Sequence, residues 1–250
     1  MDVQDGLGRG HSESGAAVGQ YPIAPKGIFL FLQGGLFMSR QMFIFRMVRG
    51  HSGDDPFENT TVNVDSSRVH LEISDTNQVS IDYTGDMEYV LNELSHSRLR
   101  HGWGVANPNL DLRLDEHTWI ENYIIACHKY WYLDTDPSHA MGRRKILGCM
   151  LDMHEGDIIF IPKRPDDRHF MVANVKRKYC FDRDTVVEET DFRNDFRHII
   201  AVEDIMRYSY GSGTLQPGIF EVPFRDAIRR IPGHDHSYRT FEDFLLGWGR

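Results

Sequence analysis

A tryptophan between two glycines, Gly102-Trp103-Gly104, is the part of this chain best suited to holding a flat ligand. Flanking glycines let the backbone turn tightly and let another group come close. Reading a nucleobase requires taking it out of its stack, placing its face on an aromatic ring and pairing its polar edge with fixed groups. Stacking contributes about 1 to 3 kcal/mol per base. We therefore predict that Trp103 is a stacking platform; the alternative is an indole that fills the core at a strand bend.

A local excess of positive charge follows further along the chain. Ten basic and six acidic residues lie between Gly142 and Arg183, whereas the whole chain carries a net charge of -9. The overall acidity excludes a protein that coats nucleic acid through a broad positive field. The local excess predicts a positive face that holds the phosphates beside one bound base, although a charge run is also typical of a solvated surface. The residues predicted to bind nucleic acid are Trp103, Arg100, Trp131, Arg143, Arg144, Asp157, Lys163, Arg164, Arg168 and Lys176.

Two members of that set have competing interpretations. Trp131 is predicted near the end of a helix, where an aromatic ring can line a pocket or pack in the core. Asp157 can accept a hydrogen bond from an exocyclic amine of a base. A Gly-Asp pair before a strand is more typical of a turn whose carboxylate caps backbone amides, and we favour that role for Asp157.

Catalytic and metal-binding motifs are weak. His234-Asp235-His236 is the nearest approach to a ligand cluster, but no second cluster supports it at a useful spacing. The odd number of well-separated cysteines, Cys127, Cys149 and Cys180, indicates neither a disulfide framework nor a zinc site. We expect no catalytic residues, no metal and no cofactor, and the cysteine usage favours the reducing cytoplasm.

The elements that must position these residues follow from hydrophobic periodicity. Helices are predicted over 86–94 and over 115–133, the second capped by Asp115. A hairpin is predicted from the apolar runs 158–161 and 170–175, with turn residues between them. Further strands are expected at 41–48, 61–64, 69–73, 178–181 and 197–202, and short helices at 203–208, 224–231 and 240–248. These elements predict an α+β fold built on a small curved antiparallel β-barrel with flanking helices.

The chain divides into four predicted segments. Residues 1–37 are expected to be a disordered extension, because they are rich in Gly and Ser; their apolar run, 28–37, is about half the roughly 20 residues that span a bilayer. Residues 38–95 supply strands and a short helix packed on the barrel. Residues 96–210 form the barrel domain, and 211–250 form a helical appendage. No membrane association is expected.

The middle of the chain resembles a known superfamily. The order Met141-Gly142-Arg143-Arg144, then Gly156-Asp157 before an apolar strand, then a hairpin ending in Val175-Lys176-Arg177-Lys178-Tyr179, is similar to the EVE branch of the PUA-like superfamily, which is related to YTH, ASCH and SRA domains. The segment 98–104 is similar to the arginine-glycine-tryptophan element of reader domains in modification-dependent restriction systems. The resemblance covers roughly 97–208. It implies a curved barrel that holds one extruded nucleobase, although Ile161-Pro162-Lys163 stands where many EVE domains place an aromatic residue.

Three functions are compatible with the sequence. The first is a non-catalytic reader of a modified base in DNA, acting as the specificity part of a restriction or defence system whose nuclease is a separate subunit. The second is a PUA-like module that binds RNA. The third is a metal-dependent hydrolase or nuclease that uses His234, Asp235 and His236.

Overall fold

Six strands form one sheet in the computed structural model, which describes residues 40–47, 84–131, 134–166, 168–186, 192–210, 227–233 and 236–247. The strands are β1 (Met42–Phe45), β2 (Arg98–His101), β3 (Ile158–Ile161), β4 (His169–Phe181), β5 (His198–Ser209) and β6 (Ile228–Ile231). Their order across the sheet is β2-β5-β4-β3-β1-β6. β1 pairs with β3 in parallel, and the other pairings are antiparallel. The sheet is therefore mixed, which corrects the prediction of a wholly antiparallel barrel.

The described residues also form four α-helices. They are α1 (Thr84–Ser95), α2 (Glu116–Ala126), α3 (Pro137–Gly148) and α4 (His236–Gly247). α2 continues into one π-helical turn, Cys127–Trp131. Asp115 and Asp136 cap α2 and α3, because each carboxylate accepts a backbone N–H from the first turn. No helix in these described ranges is long and apolar enough to cross a bilayer.

The sheet is curled into a half-barrel. Phe45 on β1 and His101 on β2 lie on strands separated by three others, yet their rings meet edge to face with centroids 5.5 Å apart. Such a contact across one face requires strong curvature, because neighbouring strands are about 4.8 Å apart in a flat sheet. The architecture is thus α+β, with the concave face of the sheet closed around its own core.

Both faces of the sheet are covered. Successive residues of a strand point to opposite faces, so Phe43 and Phe45 enter one core while Met42 and Ile44 enter another. The first and larger core packs against α1, α2 and α3. The second is aromatic and includes Phe241 of α4. The helices on the first face are the ones that reach the predicted stacking residues.

Several predicted elements are confirmed. The helix predicted over 86–94 is α1, and the helix predicted to begin after Asp115 is α2. The predicted hairpin is formed by β3 and β4, with Ile159 opposite Ala173. The strand predicted over 41–48 is β1. β4 is longer than expected, because it continues through 178–181 without a break.

Two predicted helices are wrong. Residues 203–208 belong to β5, which runs on to Ser209 beside the equally long β4. Residues 228–231, placed by the sequence in a helix of the C-terminal appendage, form β6, the edge strand that pairs with β1. In both places a neighbouring strand offers unpaired backbone groups, and pairing with them overrides the weak local helical periodicity. The sheet therefore takes β1 and β6 from outside 96–210.

Some predictions lie outside the described residues. They are the extension 1–37, the strands 61–64 and 69–73, and the side chains of His234, Asp235 and His236.

A candidate ligand site around Trp103

Trp103 occupies a strained turn directly after β2. Its backbone is left-handed, with φ of 67°, which a non-glycine residue adopts at a cost of about 1 to 3 kcal/mol. Two side chains hold it there. The Trp103 N–H donates to Asp195 Oδ1 at 2.9 Å, and the Trp103 carbonyl accepts from His198 Nε2 at 3.1 Å. Strain of this kind, fixed from both sides, is typical of ligand-binding segments.

The two flanking glycines are required by these same neighbours. A Cβ at Gly102 would stand 2.6 Å from Asp195 Oδ2, and one at Gly104 would stand 2.9 Å from the imidazole of His198. Neither separation is possible for a real side chain. The Gly-Trp-Gly pattern thus serves close packing of Asp195 and His198 on the turn.

A buried chain of hydrogen bonds sets the state of His198. Because a carbonyl only accepts, the contact to Trp103 places the proton on Nε2, and Nδ1 accepts from the Tyr179 hydroxyl at 2.8 Å. The Tyr179 oxygen in turn accepts from the Leu112 N–H at 3.2 Å. Burial lowers the pKa of His198 to about 3, so the ring stays neutral and keeps this tautomer.

The indole of Trp103 is half-buried and has a guanidinium on its face. Arg143, from α3, places its Cζ 4.4 Å from the centroid of the indole. Trp131 meets the same indole edge to face at 5.4 Å, and Tyr123 lies at 6.0 Å. The π-helical turn ends at Trp131, a kind of irregularity frequent at functional sites. We refer to Trp103, Tyr123, Trp131, Arg143 and Asp195 as the Trp103 site.

The carboxyl of Asp195 is poised between its two protonation states. Removal from water raises its pKa to about 7, and the charge of Asp86 on α1 acts in the same direction. The hydrogen bond from the Trp103 N–H opposes the rise, as do the nearby Trp131 side chain and the Gly104 N–H, which donates to the Asp195 backbone carbonyl. Burial is the larger effect, although the residue as a whole keeps partial exposure. A carboxyl of this type can switch between accepting and donating near neutral pH.

Other titratable groups nearby are held in neutral forms. Burial lowers the pKa of His101 to about 4 and raises the pKa of the Cys127 thiol to about 11. A thiol in that state is a poor nucleophile, because the thiolate is the reactive species. His101 and Cys127 therefore contribute uncharged groups to the surroundings of the Trp103 turn.

Three of the predicted binding residues have structural partners instead. Arg100 is buried and pairs with Glu93 and with Asp182, the latter at 2.9 Å. Arg144 donates to the Leu114 carbonyl at 2.7 Å, on the other side of α3 from Trp103. Both carboxylate oxygens of Asp157 accept backbone N–H groups, from residues 41 and 154, which is the turn role favoured by the sequence.

The remaining basic residues lie away from the Trp103 site. Lys163, Arg164 and Arg168 surround the turn between β3 and β4, at the start of β4, whereas the Trp103 turn lies beside the opposite end of this 13-residue strand. The buried Arg164 donates to the Lys163 carbonyl at 2.6 Å. Lys176 approaches Glu203 at 3.7 Å on the exposed surface. The structure therefore brings Trp103, Trp131 and Arg143 together and leaves the other seven apart.

Sequence reasoning missed two members of the Trp103 site. Asp195 lies between the strands predicted at 178–181 and 197–202, and Tyr123 lies within the helix predicted over 115–133; neither is among the residues predicted to bind. The signal for Tyr123 was its spacing of eight residues from Trp131 on one helix face. No sequence signal links Asp195 to Trp103, because the contact joins residues 92 positions apart.

Comparison with known proteins adds no further constraint on the site. No protein-family model, curated protein or solved structure matches the chain. Within the described ranges, no group of three or more His, Cys, Asp or Glu side chains is arranged to hold a metal ion.

Proposed function

We propose that this protein is a reader of a single extruded base in nucleic acid, with modified DNA as the favoured target, and that it belongs to the EVE branch of the PUA-like superfamily. The supporting observation is the half-buried indole of Trp103, which carries the Arg143 guanidinium on its face at 4.4 Å. The reader performs no chemistry on the base. In a restriction or defence system it supplies specificity to a nuclease on another subunit.

The Arg143 guanidinium over the Trp103 indole supports the idea that a flat group can occupy this face of the ring. A guanidinium is planar and delocalised, and it stacks on aromatic rings much as a heterocycle does. A base that enters the Trp103 site takes this position on the indole. Arg143 then moves to a phosphate beside the base, where a bidentate charge-assisted contact replaces the one it leaves.

The surrounding fold supports the assignment. The half-barrel sheet, the arginine-bearing α3 and the Gly156-Asp157 turn before β3 follow one another in the order that the EVE resemblance implies. The neutral, buried His101 and His198 act as supports of the turn. Recognition of an extruded base requires an aromatic ring that is fixed in position and does not react with the base.

Binding of labelled duplexes tests the proposal. Each duplex carries one 5-methylcytosine, 5-hydroxymethylcytosine or N6-methyladenine, and affinity is measured by fluorescence anisotropy at one salt concentration. Trp103→Ala should weaken binding to the preferred duplex about five- to a hundredfold, because stacking is lost, while Trp103→Phe retains part of it. Phe241→Leu is the control, since Phe241 is fully buried in the core on the other face of the sheet and should alter the melting temperature without altering affinity.

Two results would contradict the proposal. One is equal affinity of the wild type and Trp103→Ala for every duplex that binds. The other is tighter binding to structured RNA than to any modified duplex at matched salt, which would assign the same fold to RNA recognition.

The part played by Arg143 has a separate readout. If it reaches a phosphate in the complex, Arg143→Ala should reduce the slope of log affinity against log salt by about one. Arg144→Ala, which removes the neighbouring cation tied to the Leu114 carbonyl, should leave that slope unchanged. Equal slopes in all three proteins would place Arg143 away from the phosphates.

A further inference from the structure

The carboxyl of Asp195 lies where the two indoles of the Trp103 site converge. Its Oδ1 accepts from the backbone N–H of Trp103 at 2.9 Å, and the rings of Trp103 and Trp131 meet at 5.4 Å. A carboxylate has about four acceptor positions on its two oxygens, so this hydrogen bond leaves acceptor capacity unused. Asp195, like Trp103, is half-buried, so the residue borders solvent at this site.

A second polar group at the site has only a sulfur atom as its partner. The hydroxyl of Tyr123 is fully buried and has no oxygen or nitrogen partner among the described residues. It stands close enough to Arg143 and Asp195 for their charges to act on its pKa. Sulfur is a weak hydrogen-bond acceptor, so the Tyr123 hydroxyl, near the Asp195 carboxyl, can take a stronger polar partner from a ligand.

We propose that Asp195 reads the polar edge of the ring that stacks on Trp103, and that the site selects a base with an exocyclic amino group over one with a carbonyl at the same position. This inference rests on the proposed function and names its substrate class. An amino group donates to the carboxylate, whereas a carbonyl would set an acceptor against an acceptor. The carbonyl-bearing base should therefore bind much more weakly, because an unpaired polar group is costly in a partly dehydrated site.

The preference should also depend on pH. The groups that act on the Asp195 carboxyl are Asp86 from α1, Tyr123 from α2, Cys127 from the π-helical turn, and the N–H groups of Trp103, Gly104 and Trp131. Because the pKa of Asp195 is about 7, the carboxylate form that accepts from an amine is populated above that value and lost below it. Affinity for an amino-bearing base should rise between about pH 6 and pH 8.

Pairs of duplexes test the effect of the amino group alone. Two duplexes differ only in one base placed opposite an abasic site, either 5-methylcytosine or thymine, which share the 5-methyl group and differ in amine against carbonyl. A second pair contains adenine or hypoxanthine. The wild type should bind the amino-bearing member of at least one pair about tenfold more tightly, a discrimination typical of a good base contact.

Asp195→Asn is the decisive variant. An asparagine oxygen can still accept from the Trp103 N–H, while the other position becomes a donor, so the preference should shrink below about threefold and the pH dependence should disappear. Asp204→Asn is the matched control, because Asp204 is exposed on β5 and its left-handed backbone suits asparagine. Melting curves of both variants establish folding, and the wild-type pH profile needs no substitution.

The outcomes separate the two proposals. Binding of all four duplexes with no preference for the amine, or an undiminished preference in Asp195→Asn, overturns the role of Asp195 and leaves the reader function standing. No binding of any duplex by the wild type, including those of the preceding experiment, overturns the reader function itself. An amine preference that vanishes in Asp195→Asn and survives in Asp204→Asn supports the assignment.

Discussion

At the scale of the residue, one tryptophan is held in a conformation that it would not adopt alone. The left-handed φ of Trp103 is fixed by Asp195 on its N–H and by His198 on its carbonyl. Neither partner fits unless the positions on both sides of Trp103 lack a side chain. The conformation of the turn therefore depends on five residues together: Gly102, Trp103, Gly104, Asp195 and His198.

Glycine substitutions test this unit. Gly104→Ala should destabilise the fold by about 1 to 3 kcal/mol, because the new methyl group would stand 2.9 Å from the His198 ring, which has no room to move. Gly142→Ala is the control: it lies in α3 with nothing within 4 Å, and alanine should stabilise that helix by about 0.5 to 1 kcal/mol. Urea denaturation measures both. Equal effects of the two substitutions would mean that His198 does not pack against the turn.

At the scale of the element, an ion-pair network ties α1 to the sheet next to the Trp103 turn. Glu93, at the end of α1, pairs with Arg98 and Arg100 of β2, and Arg100 also pairs with Asp182 beyond the end of β4. Hydrogen bonds from Arg98 and Arg100 hold the pKa of Glu93 below its ordinary value, against the burial that raises it. The network positions β2 and hence the turn that follows it.

Loss of the Glu93 carboxylate should be costly. Glu93→Gln leaves the buried Arg100 with one carboxylate in place of two, and we expect a loss of about 2 kcal/mol in the free energy of unfolding. Glu88→Gln, an exposed position on the same helix, should change stability by less than about 0.5 kcal/mol. Chemical denaturation of both variants provides the comparison. Similar stabilities would show that Arg100 is satisfied without Glu93.

Element prediction from the sequence succeeded where the local pattern and the tertiary context agree. The capped helix after Asp115 and the hairpin of β3 and β4 were found, because capping chemistry and short apolar runs are local signals. The residues 203–208 and 228–231 were placed in helices and are strands, because long-range pairing with β4 and β1 decides them. For the same reason Trp103, Trp131 and Arg143 were identified by residue type, whereas Asp195 is visible only in three dimensions.

At the scale of the whole molecule, the half-barrel has a core on each face. It contains two histidines that stay neutral and one carboxyl whose pKa is raised. The pKa of His101 is about 4 and that of His198 about 3, against 6.5 ordinarily. The pKa of Asp195 is about 7, against 3.8 ordinarily. These groups link folding to pH in opposite directions.

The histidines should dominate that linkage between about pH 4 and pH 6.5. An unfolded chain protonates both rings below 6.5 while the folded chain does not, so their contribution to stability is full above 6.5 and is lost as the pH falls toward their folded values. Asp195 acts oppositely, because its folded form keeps a proton that the unfolded chain releases above 3.8. Unfolding takes up two protons on the histidines and releases one from Asp195, a net uptake of one. The free energy of unfolding should therefore fall by about 1.4 kcal/mol for each pH unit of acidification.

Urea denaturation at about pH 5, 6 and 7 checks the sign. Asp195→Asn removes the opposing group. The free energy of unfolding should then depend more steeply on pH, with a slope that approaches the uptake of two protons. A wild-type stability that is constant or rises on acidification from pH 6.5 would show that the histidines are solvated in the folded protein.

The central claim, that the face of Trp103 receives a base, is tested most directly by the indole N–H resonances of the protein in a titration with its preferred modified duplex. The Trp103 signal is assigned by its absence in Trp103→Phe, and Trp119, whose Nε1 donates to the buried Leu110 carbonyl at 2.9 Å, is an internal reference. We predict that the Trp103 resonance shifts in proportion to the bound fraction and shifts more than that of Trp119, whose ring stacks on Tyr123 at 5.0 Å. A saturated complex in which the Trp103 resonance has not moved would contradict the account.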